Sequence, residues 1–72
     1  MSESDVQRVR ELIALECQAL KRVFNEPSIV ASHETINARY TNLGEHQQEL
    51  EERIGKQQAA EEIVETYKRI LG

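Results

Sequence analysis

The stretch INARYTNLGEHQQELEERI, residues 36–54, carries one series of side chains at alternating steps of four and three residues. This is a heptad pattern, and on a helix it forms one narrow stripe along one face. The stripe, which we call the seam, consists of Ile36, Tyr40, Leu43, Gln47, Leu50 and Ile54. All but Gln47 are apolar, so we predict a helix over about residues 32–54 that the rest of the chain covers.

Two residues of this predicted helix each allow two structural interpretations. Gln47 either lies at a solvated edge of the seam or forms a hydrogen bond between helices that sets the oligomeric state. Gly44 is either a helix end or an interior glycine. Because the seam keeps its phase on both sides of Gly44, we predict one continuous or slightly kinked helix. A glycine there would also let another element approach closely.

Residues 5–25 have a helical pattern with an apolar arc wider than a contact with one helix requires. The arc comprises Val6, Val9, Leu12, Ile13, Cys17, Ala19, Leu20, Val23 and Phe24. We therefore predict that this helix touches more than one neighbour. We expect apolar surface to remain near Leu12, Ala19 and Val23 for contact with another copy of the chain.

Glu16 falls inside this apolar arc. It either sits in a solvated gap of the arc or forms a buried pair that fixes register or partner choice. In a hairpin that turns near residues 28–29, position 16 lies opposite position 41. Arg39 and Tyr40 are then the nearest candidate partners.

A turn at Pro27 separates the first two helices, and Ser32 is the preferred N-cap of the second. Gly55 is a suitable helix stop after Ile54. Residues 57–71 form a third amphipathic pattern, with charged residues opposite an apolar face that includes Tyr67. Folding back from Gly55 places Tyr67 opposite Gly44, so we predict that its ring packs over that glycine.

The composition and charge of the chain argue against several classes of function. The 72 residues carry a net charge of −4, and the nine basic residues form no cluster of the kind that binds nucleic acid. The longest apolar run, residues 12–15, is far shorter than the ~20 residues of a membrane span, and no signal-peptide core is visible. We expect a cytoplasmic protein that binds neither nucleic acid nor membrane.

No constellation of residues indicates catalysis or a cofactor. His33-Glu34 begins a zinc-protease motif, but Asn37 stands where the second histidine is required. His33 and His46 lie about 20 Å apart on one helix, and we expect both to be solvated surface residues. Cys17 is the only cysteine, so it forms no disulfide within the chain, and we expect a buried structural residue. We predict no enzyme and no bound metal or cofactor.

The sequence predicts a single all-α domain over residues 1–72, an antiparallel hairpin with a shorter third helix, completed by dimerisation. We expect a small interaction module that self-associates and serves as an adaptor or regulatory subunit. Two alternatives are a monomeric three-helix domain that docks a different protein and a small helical transcriptional regulator. A regulator of that kind would need a compact basic recognition helix, and these helices are long and acidic.

Overall fold

The computed structural model describes residues 3–26 and 33–72 and contains three helices. Helix α1 spans Glu3–Asn25, α2 spans His33–Ile54 and α3 spans Lys56–Leu71. Each helix packs against the other two. The predicted all-α fold, a helical hairpin with a shorter third helix, is confirmed. The predicted turn at Pro27 and the N-cap at Ser32 lie outside the described residues.

Gly55 makes the sharp reversal between α2 and α3. Its amide donates to the carbonyl of Glu51 at 3.0 Å, and its own carbonyl accepts from the amide of Ala59 at 3.1 Å. Its φ of 93° lies in the left-handed region that glycine adopts without steric strain. The predicted helix stop is therefore confirmed, and this one residue sets the antiparallel course of α3 along α2.

Helix α2 runs without interruption through Gly44, as the phase of the seam predicted. A Cβ atom built at Gly44 would meet no atom of another element within 4 Å. An interior glycine weakens a helix by about 1 kcal/mol relative to alanine. Packing within this chain therefore gives no reason for a glycine at this position.

The fully buried core is small, and α1 supplies most of it. Its members are Val9, Ile13, Cys17, Leu20, Leu43, Leu50 and Ala59. The seam contributes only Leu43 and Leu50. The prediction that the rest of the chain covers the whole seam is wrong, because Tyr40 is 42% exposed.

Helix α1 contacts both α2 and α3, as the width of its apolar arc predicted. Cys17 is fully buried in this contact. Burial raises the pKa of the Cys17 thiol, and the neighbouring Glu16 carboxylate raises it further. The thiol therefore stays protonated and packs as a small apolar side chain, as expected.

Leu20→Asp tests the assignment of the buried face. Leu20 is 0% exposed, and shortening a buried leucine alone costs about 2–5 kcal/mol. A domain of this size has only about 3–5 kcal/mol of stability, so the added carboxylate should abolish cooperative thermal melting by circular dichroism. Leu15→Asp is the matched control, since Leu15 is 58% exposed. Normal melting of the Leu20 variant would refute the assignment.

Candidate interaction surfaces

A half-buried carboxylate joins α1 to α2. Glu16 accepts hydrogen bonds from Arg39 Nη1 and from Asn42 Nδ2, each at 3.3 Å. Of the two alternatives the pair forms, but it is half-buried, since the Glu16 side chain is 14% exposed and that of Arg39 is 41% exposed. Arg39 was one of the two partners that the hairpin register named. The other, Tyr40, turns towards α3 instead, and Asn42 was not foreseen.

Two tyrosines join α2 to α3. The hydroxyl groups of Tyr40 and Tyr67 lie 2.9 Å apart. This hydrogen bond, with some burial, raises the pKa of Tyr40 above its ordinary value. The predicted packing of the Tyr67 ring over Gly44 is wrong in detail, because no atom comes within 4 Å of a Cβ built at Gly44. Tyr67 meets the α2 residue one turn before that glycine.

A bidentate ion pair joins α1 to α3. Arg10 Nε donates to Glu62 Oε1 at 2.6 Å, and Arg10 Nη2 donates to Glu62 Oε2 at 3.1 Å. The hydrogen bond with Glu62 raises the pKa of the Arg10 guanidinium. The sequence reading missed this pair. The hairpin register applied twice, from α1 to α2 and from α2 to α3, would have placed Arg10 near residue 63.

Two groups of apolar residues remain at the surface on different sides of the bundle. The first, the α1 flank, lies beside Glu16 and consists of Leu12, Ala19 and Val23. These residues are half-buried and lie outside the core cluster. Leu15 borders this flank on the helical wheel and is exposed. The apolar surface predicted near these three residues is therefore smaller than a fully exposed face, because each of the three side chains is partly covered.

The second group forms a groove between α2 and α3, of about 470 Å³. We call it the α2/α3 groove; it is lined by Tyr40, Leu43, Gly44, Gln47, Ile63, Val64, Tyr67, Lys68 and Gly72. Tyr40 and Val64 are 42% and 49% exposed. Gln47 is half-buried here, and no side-chain hydrogen bond joins it to the part of the chain that the structure describes.

The remaining seam residues lie towards the two ends of α2. Ile36 and Ile54 are half-buried, and Ile54 packs against the core cluster. The seam therefore divides into a buried middle, Leu43 and Leu50, and an exposed side that faces the α2/α3 groove. Tyr67 packs against the core cluster as well and forms the α3 wall of this groove.

The two histidines have different environments. His33 is exposed, as expected. The expectation of a solvated surface residue is wrong for His46, whose side chain is 16% exposed and whose Nδ1 lies 3.4 Å from Glu49 Oε1. His46 lies two turns after Arg39 on the same face of α2, and this face packs against α1. Over residues 3–26 and 33–72, no three His, Cys, Asp or Glu side chains are grouped to hold a metal ion.

Comparison with known proteins adds no assignment: no family model, curated protein or solved structure matches this chain. None of the helices in the described ranges has the length and apolar character to cross a membrane.

A double-mutant cycle on Glu16 and Arg39 measures what this half-buried pair contributes to stability. Arg39→Met leaves a nearly buried carboxylate with only Asn42 as donor, so it should lower the free energy of unfolding by about 1–2 kcal/mol. Adding Glu16→Leu should restore most of this loss, because the unpaired charge is removed. Chemical denaturation at one protein concentration gives the coupling energy.

The control cycle uses Arg22 and Glu26, whose side chains are exposed and whose charged atoms lie 3.6 Å apart. An exposed pair at this spacing should give a coupling energy below about 0.5 kcal/mol. A Glu16–Arg39 coupling as small as that of the control would mean that the carboxylate is effectively solvated.

Proposed function

We infer that this domain is a protein–protein interaction module that associates with itself, most simply as a dimer, and acts as a small adaptor or regulatory subunit. The observation that carries this proposal is the amount of surface left exposed. The chain exposes 5175 Å², whereas a compact monomer of 8.3 kDa exposes about 4,600 Å². The surplus is about 600 Å².

The surplus has the size that a modest interface needs. Specific interfaces bury about 800 Å² on each partner, and weaker ones bury less than about 600 Å². The shape agrees, since the radius of gyration is 12.8 Å against about 11 Å for a compact domain of this length. A second copy that covers the surplus gives both chains a larger buried area.

The extent of the core supports the same proposal. Helix α3 has 16 residues and α1 has 23, so α3 is about 24 Å long beside a helix of about 35 Å. It therefore covers only part of the hairpin. Small domains with such limited cores commonly gain stability from an added subunit when no disulfide or metal is present. Self-association is the most economical source of that subunit, because two-fold symmetric dimers are the commonest oligomers.

Absolute mass in solution tests this proposal. Light scattering over a dilution series should give a mass near twice 8.3 kDa at high concentration that falls towards 8.3 kDa on dilution. The midpoint of thermal melting should fall with it, because association stabilises the folded chain by mass action. A mass of 8.3 kDa at every concentration, with unchanged cooperative melting, would contradict self-association and favour a domain that docks a different protein.

A further inference from the structure

We propose that the α2/α3 groove is the surface on which a second copy of this chain docks, with the two α2 helices crossing in antiparallel orientation at Gly44. This inference rests on the proposed self-association and assigns it a surface and a geometry.

The groove carries exposed apolar side chains from two helices. Four large apolar side chains of the described residues are exposed: Leu15, Phe24, Tyr40 and Val64. Tyr40 and Val64 stand on opposite walls of the groove, whereas Leu15 and Phe24 both belong to α1. The groove between α1 and α3 differs in chemistry, because it is lined by Arg10, Glu62 and other charged side chains.

Gly44 is the residue at which the α2 helices of two copies would approach each other most closely. It lies on the exposed part of α2 between the two groove-lining turns of Tyr40 and Gln47. A Cβ atom at this position would meet no atom of another element within 4 Å, so contacts among the described residues of one copy do not require a glycine here. A residue without a Cβ lets the backbone of a second helix come closer than any other residue allows.

Opposite charges lie towards the two ends of the α2 segment around Gly44, and they complement each other under a two-fold axis through that residue. Lys68 lies at the level of Tyr40, because its neighbour Tyr67 contacts Tyr40. Measured along the α2 axis, Lys68 is therefore about 6 Å from Gly44. Glu51 lies about 10 Å from Gly44 in the opposite direction. The axis exchanges the two ends, which brings Lys68 of each copy within side-chain reach of Glu51 of the other.

Neither of these charges has an ion-pair partner among the described residues of one copy. Among the described residues, the ion pairs join Arg10 to Glu62, Arg22 to Glu26, Arg39 to Glu16 and His46 to Glu49. Lys68 and Glu51 are outside all four. The surface combines opposite charges, apolar walls and a central glycine, so it is complementary to itself. Such a surface fits a second copy of the same chain, because each contact across a two-fold axis is made twice.

Val64→Glu and Leu15→Glu form a matched pair of variants. Both replace an exposed apolar side chain by a carboxylate, and neither residue belongs to the core cluster. Val64→Glu places the charge inside the proposed interface and should raise the dimer dissociation constant at least about tenfold. Leu15→Glu should change it by less than about threefold. Sedimentation equilibrium measures both constants, and circular dichroism verifies the helices.

Gly44→Leu and Ala38→Leu form a second pair that adds no charge. In Gly44→Leu the added Cβ meets no other element within one copy, but the leucine side chain should hold the two α2 helices apart and weaken association at least about tenfold. Ala38 is also exposed on α2 and lies about 120° around the helix from Gly44. Ala38→Leu should leave the dissociation constant nearly unchanged.

The outcomes separate this inference from the proposed function. A wild-type chain that is monomeric at every concentration overturns self-association itself. A wild-type dimer that resists both Val64→Glu and Gly44→Leu overturns only the docking surface. If Leu15→Glu weakens that dimer instead, the interface belongs to the α1 flank, which Leu15 borders. Weakening by both groove variants, with both controls unaffected, supports docking through the α2/α3 groove.

Discussion

Burial of a few α1 side chains between α2 and α3 is the interaction on which the rest of this structure depends. Among the described residues, four of the seven in the core belong to α1, and one of these, Leu20, has no exposed surface. A core of this size leaves little stability in reserve. Features outside the core therefore matter more here than in a larger domain, including the polar contacts between helices and the apolar surface that the bundle leaves uncovered.

Each pair of helices also carries a polar contact between side chains: Glu16 with Arg39 and Asn42, Arg10 with Glu62, and Tyr40 with Tyr67. Apolar packing is non-directional and roughly proportional to the area buried, so a small core specifies the register between helices less strongly than a large one. A hydrogen bond has a required distance and angle. These three contacts therefore specify the register of the bundle, while the small core supplies most of its stability.

The sequence predicted the elements of this fold well, because helix periodicity and the signal at Gly55 are local properties. It also predicted that α2 continues through Gly44 and that Arg39 is near Glu16. It was less successful where several helices must be placed together. Tyr67 was placed one turn away from its observed partner, since a register estimated from turn positions is uncertain by about one turn, 5.4 Å.

The interaction surface was only partly predictable. Tyr40 was identified as a seam residue, but the pattern did not reveal which seam residues α3 would leave open. Val64 was not singled out, because on the α3 wheel it belongs to the same apolar face as the buried Ala59. Its exposure fits its place at the edge of that face, about 140° around the helix from Ala59, but the wheel alone does not show which edge α2 and α1 cover. The isolated glycine on an exposed helix face was the one visible signal.

Cross-linking at Gly44 tests the central claim, that a second copy meets this chain at that residue. In Gly44→Cys, a two-fold axis through position 44 would bring the two new Cβ atoms to about 4 Å, the separation that a disulfide requires. Cys17 is buried and should not compete. Mild oxidation should convert most of the Gly44→Cys protein to a covalent dimer while leaving Ala38→Cys monomeric on a denaturing gel. Equal and slow cross-linking of the two variants would contradict the account.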